Sequence, residues 1–420
     1  MELFLWIEII SLSVFFCCVI CFAVLLLFAK RGERKAFRLV PSEKKTKFAI
    51  LIPARNESRV IEANLRSIYD ADYPKENLDV YVIVESESDP TVKICEDYAG
   101  TEVFVRRDLT KRMKGYALDE CIKDILECGR EYDAFMILDA DNLISRDFLA
   151  RMSDAYAAGY DAACGKRDNK DWNASVVSSS SALTFTVINT LQNKPKTERG
   201  MNVMFSGTGF FVSYKVLKEL GGWPFASLTE DYEFSNFALY NGLKTCYVES
   251  AVYYDEQPLT LGQSIIQRTR WVRGFFHVKR AYHKSKRKYS KERPESRDMR
   301  AMRFGTVPAL VLAFDIIGYM LAVITGIIVS GITHNGRASM YFGRLAFVFA
   351  SVYIVIALFT VILFRIEAEH INITEKNKIK TIFYHPFFLA TYVISAVRSF
   401  FVKDTWEVIE HSQNKEQNDL

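Results

Sequence analysis

Between residues 47 and 138 the chain returns four times to a short run that is almost wholly apolar: Lys47–Pro53, Leu78–Val84, Thr101–Val105 and Ala134–Leu138. Strands without polar alternation are buried on both faces, which is the signature of a parallel sheet between helical layers. The intervening segments supply those layers. Ser58 to Tyr69 sets Val60, Ile61, Leu65 and Ile68 on one side of a helix, and Tyr116 to Leu126 has the same period. The expected fold class is therefore α/β with a mostly parallel sheet. In such sheets ligands bind beyond the carboxyl ends of the strands, and the polar motifs of this chain sit at those ends.

Long apolar runs bracket this region. Leu3 to Ala29 is nearly uninterrupted, and two further spans are expected at Thr306–Ile332 and Phe342–Phe364. Crossing a bilayer takes about 20 apolar residues. A last run, Ile382 to Val402, is broken near its start by His385-Pro386, and it either spans or dips in and returns. No basic residue precedes the first run and no small-residue cleavage site follows it, which disfavours a cleaved leader. Lys30, Arg31, Arg34, Lys35 and Arg38 follow it instead. The positive-inside rule then puts the central domain in the cytoplasm and the loop around Asn335 outside, in a multi-pass protein of the cell membrane. Of the eight cysteines, Cys17, Cys18 and Cys21 lie in the first apolar run; Cys95, Cys121, Cys128, Cys164 and Cys246 are scattered without C-x-x-C spacing and read as buried thiols in a reducing compartment. A net charge of +4 says little about partners. The basic stretch from Lys279 to Arg293, interleaved with Tyr282 and Tyr289, fits an interfacial helix on lipid headgroups better than a nucleic-acid surface, and no nucleic-acid partner is expected. The expected division is a first transmembrane helix at 1–30, a catalytic domain at 46–275, an amphipathic interfacial segment at 276–303, a membrane region at 304–402 and a tail at 403–420.

Three motifs carry chemistry. Asp139-Ala140-Asp141 closes the fourth strand, and two carboxylates on alternate positions can share one hard cation, Mg2+ or Mn2+. The alternative is a turn capped by Asn142. Thr229-Glu230-Asp231 offers a carboxylate base, or a helix start with Thr229 as cap and acids in the first turn. Gln267, Arg270 and Trp271 share one helical face, where Arg can fork onto phosphate oxygens, Gln can hydrogen-bond and Trp can cover a sugar ring. An interfacial helix with Trp as membrane anchor is the plainer reading. Asp315, within an expected span, is a candidate channel-facing group, and Glu8 a candidate interfacial one.

In this order and spacing, from about Lys45 to Trp271, the motifs resemble the processive membrane branch of family 2 glycosyltransferases, the cellulose, chitin, hyaluronan and poly-N-acetylglucosamine synthases. The resemblance implies a GT-A-like cytoplasmic domain and an inverting transfer from a UDP-sugar, UDP-glucose or UDP-N-acetylglucosamine, to a growing polysaccharide that leaves through the membrane helices. Transfer of one sugar to a lipid acceptor, and a catalytically dead nucleotide-binding subunit, are the rivals. It further implies that Asp231, with Glu230, is catalytic and that Asp139 and Asp141 hold the metal. Pro53, Arg55, Glu57, Lys114, Asp139, Gln267, Arg270 and Trp271 would meet the nucleotide sugar. Gly207, Thr208, Gly209 and Trp223 would line the acceptor site. The family has an Asp-rich turn after the second strand; this chain has Glu85 and Glu87, with Asp89 before Pro90, so which acid meets the nucleotide is open. Trp406, Glu410 and His411 resemble a tail motif of some bacterial members.

Overall fold

The computed structural model describes residues 37–289 and 315–402 nearly continuously, together with scattered residues of 6–20. Most of the first apolar run, Glu8, the stretch 290–314 and the tail with Trp406, Glu410 and His411 lie outside the described residues.

The four apolar runs form β1 (Phe48–Pro53), β2 (Leu78–Val84), β3 (Thr101–Val105) and β4 (Ala134–Ile137). They pair in parallel, in the order β3-β2-β1-β4. Alternate residues of β1 enter different cores. Phe48, Ile50 and Ile52 pack under the helix Ile61–Tyr69, while Ala49 and Leu51 pack with the helix Lys114–Glu127. The second half of the sheet was not legible. There β5 (Leu143–Ile144), β6 (Ala162–Asn169), β7 (Phe210–Ser213) and β8 (Thr245–Asp255) extend the order to β4-β7-β6-β8-β5. Strand β7 lies antiparallel between β4 and β6, whereas β6 and β8 are parallel. Of the seven pairings four are parallel, so the sheet is mostly parallel as expected but split by an antiparallel insert.

This topology sets where the motifs meet. An antiparallel β7 starts where β4 ends, with Ile137 opposite Phe210. The loop Gly207-Thr208-Gly209, just before β7, is thereby placed against Asp139, just after β4. Gly209 has a left-handed φ of 67°, and a Cβ on it would fall 2.0 Å from the Tyr253 ring. Strands β6 and β8 run past the same edge, pairing Asn169 with Asp255. Every strand end that carries a polar motif thus opens on one side of the sheet.

The helix Leu261–Tyr289 carries the Gln267/Arg270/Trp271 motif and runs through residue 276 without a break. Its start is a reciprocal cap: Gln263 N donates to Thr260 Oγ1 at 3.3 Å, and Thr260 N donates to Gln263 Oε1 at 3.2 Å. Among the described residues one helix, Ala338–Ile366, is long and apolar enough to cross a membrane, and Gly318–Thr333 is a shorter apolar helix. The last apolar run departs from expectation. The helix Glu375–Ala390 begins earlier and continues through Pro386, and the break comes at Thr391, before a second helix Tyr392–Ser399. Pro386 leaves one interior carbonyl without its donor, but the helix is held by packing on the helix Val176–Thr186. Buried thiols hold for Cys95, Cys121, Cys164 and Cys246, but Cys128 is exposed.

Gly115 opens the helix Lys114–Glu127, where a Cβ would fall 2.0 Å from the carbonyl oxygen of Phe225. Backbone cannot move aside as a side chain can. Gly115→Ala is expected to cost about 1–3 kcal/mol, read as a lower Tm. Gly262→Ala, where a Cβ meets open space, should leave Tm unchanged or slightly higher. Equal Tm values for the two variants would contradict this packing.

Candidate active site

Asp139 and Asp141 follow β4 in a turn that Asn142 holds from inside. Asn142 is fully buried. Its Oδ1 accepts from Asp139 N at 3.2 Å and from the Thr208 hydroxyl, and its Nδ2 donates to Asp255 Oδ1 at 2.9 Å and to Asp141 Oδ1 at 3.3 Å. The Asn142 cap is therefore present, and it presents the carboxylates rather than replacing their role. Thr208 Oγ1 also accepts from Asp139 N at 2.8 Å, so the loop Gly207-Thr208-Gly209 is part of this turn's support.

Lys114 joins the motifs. Its ammonium donates to Asp139 Oδ1, donates to the Gly207 carbonyl at 2.7 Å and stands 3.9 Å from Glu230 Oε1. Burial works against the charged form of Lys114, but Asp139 and Glu230 outweigh it and hold its pKa above the ordinary value. Gly207 also borders the acid pair, since a Cβ on it would lie 3.7 Å from Asp231 Oδ2.

Glu230 and Asp231 open the helix Glu230–Asn241. Its first turn holds three acids, and the positive end of the helix dipole favours them. Thr229 is the first flanking residue, but its side chain makes no cap bond and its Oγ1 is buried without a partner. Gly274 explains this: a Cβ there would lie 2.4 Å from Thr229 Oγ1, so the later helix packs hard on the motif. Burial pushes the Glu230 carboxyl up to about 7; Lys114 opposes the rise and Asp231 adds to it. Burial likewise raises Asp231, against backbone N–H donation and the charges of Lys114 and Arg167.

Arg270 faces this group. Burial lowers its pKa, while Glu230, Asp139 and Asp231 favour its charge. Trp271 meets Phe185 edge-on, with ring centroids 5.7 Å apart. Gln267 Oε1 is buried without a hydrogen-bond partner.

Two residues not foreseen complete the floor. Arg167 donates to Asp255 Oδ2 from Nε at 2.9 Å and to the Ser206 carbonyl at 2.7 Å, and its guanidinium lies 3.7 Å from the Phe185 ring centre. Burial pushes Asp255 up to about 6, with Arg167 opposing. The available signal was Lys166-Arg167-Asp168, three charges ending a strand that begins Ala162-Ala163-Cys164.

At the end of β2, Glu85 pairs with Arg55 at 3.1 Å and faces Arg106 at 3.8 Å, while Glu87 is exposed. Asp89 is spent on structure. It caps Thr91 N at 2.9 Å and accepts from Asn56 N at 2.9 Å, fixing the loop after Pro53 where Asn56 has a φ of 58°. Glu57 N donates to Thr91 Oγ1 at 3.1 Å in the same loop. Trp223 lies in the core. It is 1 % exposed and sits among Phe210, Phe225 and Phe234, which leaves no ring face for a sugar.

Two carboxylates on one turn are hard oxygen donors, and they fit a divalent ion whose remaining ligands come from a diphosphate and water. No group of three or more His, Cys, Asp or Glu that could hold a metal occurs among the described residues.

A family model described as "Glycosyltransferase like family 2" matches residues 45–274. The chain is 28% identical over 250 residues to a protein of Bacillus subtilis named "Probable glycosyltransferase YdaM". It is 25% identical over 247 residues to a "Probable glycosyltransferase" of Sulfolobus acidocaldarius. These alignments cover 55% of this chain and 56% and 50% of those proteins, so the chain spans about half the length of the curated relatives it matches. The mannosyltransferase PcManGT from Pyrobaculum calidifontis, solved with GDP-Man and Mn2+, shares the fold with a TM-score of 0.61. That likeness covers 93% of this chain and 99% of that one at 16% identity. It identifies the α/β arrangement as GT-A-like.

A carboxyl whose pKa rises on folding binds its proton more tightly in the folded state. For Glu230, stability is therefore lost as pH climbs from the ordinary 4.5 through about 7. Glu230→Gln removes that loss. Its Tm gain over the parent should be larger at pH 8 than at pH 5; a gain independent of pH would contradict a buried, proton-holding Glu230.

Proposed function

The chain belongs to glycosyltransferase family 2, and from that we propose that it moves a sugar from a nucleotide diphosphate sugar to an acceptor at the membrane, with inversion at the anomeric carbon. The observation that supports this reading is the meeting of Asp139, Glu230, Asp231, Lys114 and Arg270 at one edge of the sheet. In the proposed reaction Asp231 takes the proton of the acceptor hydroxyl. The acceptor oxygen bonds to the anomeric carbon as the bond from that carbon to the phosphate oxygen breaks. Arg270 holds the departing diphosphate by charge-assisted hydrogen bonds. Lys114 keeps the carboxylate group compatible with that charge, and Glu230 supports Asp231. Asp139 and Asp141 would hold Mg2+ or Mn2+, which when bound neutralises charge developing on the diphosphate. We assign the nucleoside contact within the 85–89 turn to Glu85, a reading supported by its position between Arg55 and Arg106 at the end of β2.

The donor we propose is a UDP-sugar, UDP-glucose or UDP-N-acetylglucosamine, with GDP-mannose as the necessary control. We propose a polysaccharide acceptor, a cytoplasmic catalytic domain and a multi-pass anchor, with Asp315 as the candidate polar group among the membrane helices, where it accepts from Ser11 Oγ at 3.1 Å. A second reading, one sugar added to a lipid acceptor, has its own support in the sequence, whose three or four apolar segments would make a slim channel.

The test is full-length protein in lipid, assayed for nucleotide release against a panel of nucleotide sugars, with product size after long incubation. Polymer favours the first reading and a single-addition lipid product the second; no release from any donor ends both. EDTA should abolish activity and Mg2+ or Mn2+ restore it. Asp141→Asn should lose turnover with Tm unchanged, and full activity in chelator would remove the metal assignment. Asp231→Asn should lower transfer by about 10²–10⁴-fold with donor affinity near normal. Arg270→Ala should weaken donor binding itself, by about 1.5–3 kcal/mol per lost hydrogen bond. The reverse pattern would exchange the two roles.

A further inference from the structure

Arg268 lies inside the same motif as Gln267 and Arg270 but serves a different side. Residues on a helix turn about 100° each, so Arg268 and Arg270 point about 200° apart. Arg270 faces Glu230, Asp139 and Asp231. Arg268 is 1 % exposed, and its guanidinium is held between two rings, 4.2 Å from the centre of Phe388 and 4.5 Å from that of Tyr392. It donates to the Phe388 carbonyl at 3.0 Å, to Thr391 Oγ1 at 2.7 Å and, within its own helix, to the Ser264 carbonyl at 3.2 Å. Thr391 is the break between the two C-terminal helices. A buried guanidinium with aromatic faces and carbonyls around it is a demanding way to pack a helix, where a leucine would cost less desolvation. What it adds is direction, because a planar fork with two fixed acceptors sets rotation and height together. Two further bonds join the helix Leu261–Tyr289 to the helix Tyr392–Ser399. Ser395 Oγ donates to the Ile265 carbonyl at 3.4 Å, and Arg273 Nη1 donates to the Ser399 carbonyl at 2.8 Å.

We propose that Arg268 is a positioning residue for donor binding: it fixes the helix Leu261–Tyr289 on the break at Thr391, so that Arg270 reaches the diphosphate only while the C-terminal helix pair is seated. This rests on the reading of Arg270 given above. Affinity for a soluble nucleotide sugar then depends on the seating of helices that carry no donor contact.

The experiment is a double-mutant cycle on full-length protein in lipid nanodiscs, titrated with the nucleotide sugar that the panel assay selects and with Tm recorded. Arg268→Lys keeps the charge and loses the fork. It should weaken donor affinity about tenfold or more, comparable to Arg270→Ala. The double variant should bind no more weakly than Arg270→Ala alone, since both changes remove one contact. Thr391→Val, which deletes one of the two acceptors, should shift affinity in the same direction by less; it carries the test if Arg268→Lys does not fold. Normal donor affinity in a folded Arg268→Lys or Thr391→Val variant overturns the proposal, as does strict additivity with Arg270→Ala. If Arg270→Ala itself binds donor normally, the reading of Arg270 has failed instead, and an Arg268→Lys effect would have to be assigned elsewhere.

Discussion

The structure depends on burying like charges together. Asp139, Asp141, Glu230, Asp231 and Asp255 come from three separate stretches of chain, and within their reach stand Lys114, Arg167 and Arg270. In a medium less polarisable than water each carboxylate raises the cost of the next. The cations do not cancel that cost evenly. Lys114 bonds Asp139 outright and only approaches Glu230, and burial pushes the Glu230 carboxyl up to about 7 against that partial opposition. Arg167 is committed to Asp255 below the turn. Arg270 is buried within reach of three carboxylates, Glu230, Asp139 and Asp231.

The first half of the fold could be read from the sequence because its strands are apolar throughout and close in sequence to the helices that cover them. The second half could not. Strand β7 is set between β4 and β6 by pairings that span more than forty residues, and β6 ends in charges that count against a strand on pattern alone. The same charges, Arg167 among them, belong to the site. Local composition therefore failed where the chain spends stability on chemistry.

Individual site residues divide along the same line. Asp139, Asp141, Glu230, Asp231 and Arg270 each lie in a short motif that the sequence singles out, and the fold brings Asp139, Glu230, Asp231 and Arg270 near one another. A tryptophan beside two glycines suggests a ligand platform in sequence, whereas in the fold Phe210, Phe225 and Phe234 surround Trp223. Among the acids at 85–89, sequence could not choose. In the fold Asp89 accepts from backbone donors of two segments, while Glu85 lies between two arginines.

The C-terminal helices are tied to the α/β domain by polar contacts that no apolar pattern could reveal. Lys166, from β6, pairs with Glu367 at 2.9 Å just past the end of the helix Ala338–Ile366, and both are buried. Thr190 also donates to Glu367, and Trp172 packs edge-on to Phe364 of that helix. A buried ion pair gains little net stability once desolvation is counted, but losing one partner costs heavily. Such a pair therefore resists sliding more than it adds strength. With Arg268 on the other flank, the strand that carries Arg167 and the helix that carries Arg270 are each pinned to a different C-terminal helix by a directional polar contact. The strand and the helix that carry the two cations framing the carboxylates thus each have a polar contact to the C-terminal helices as well as to the α/β domain.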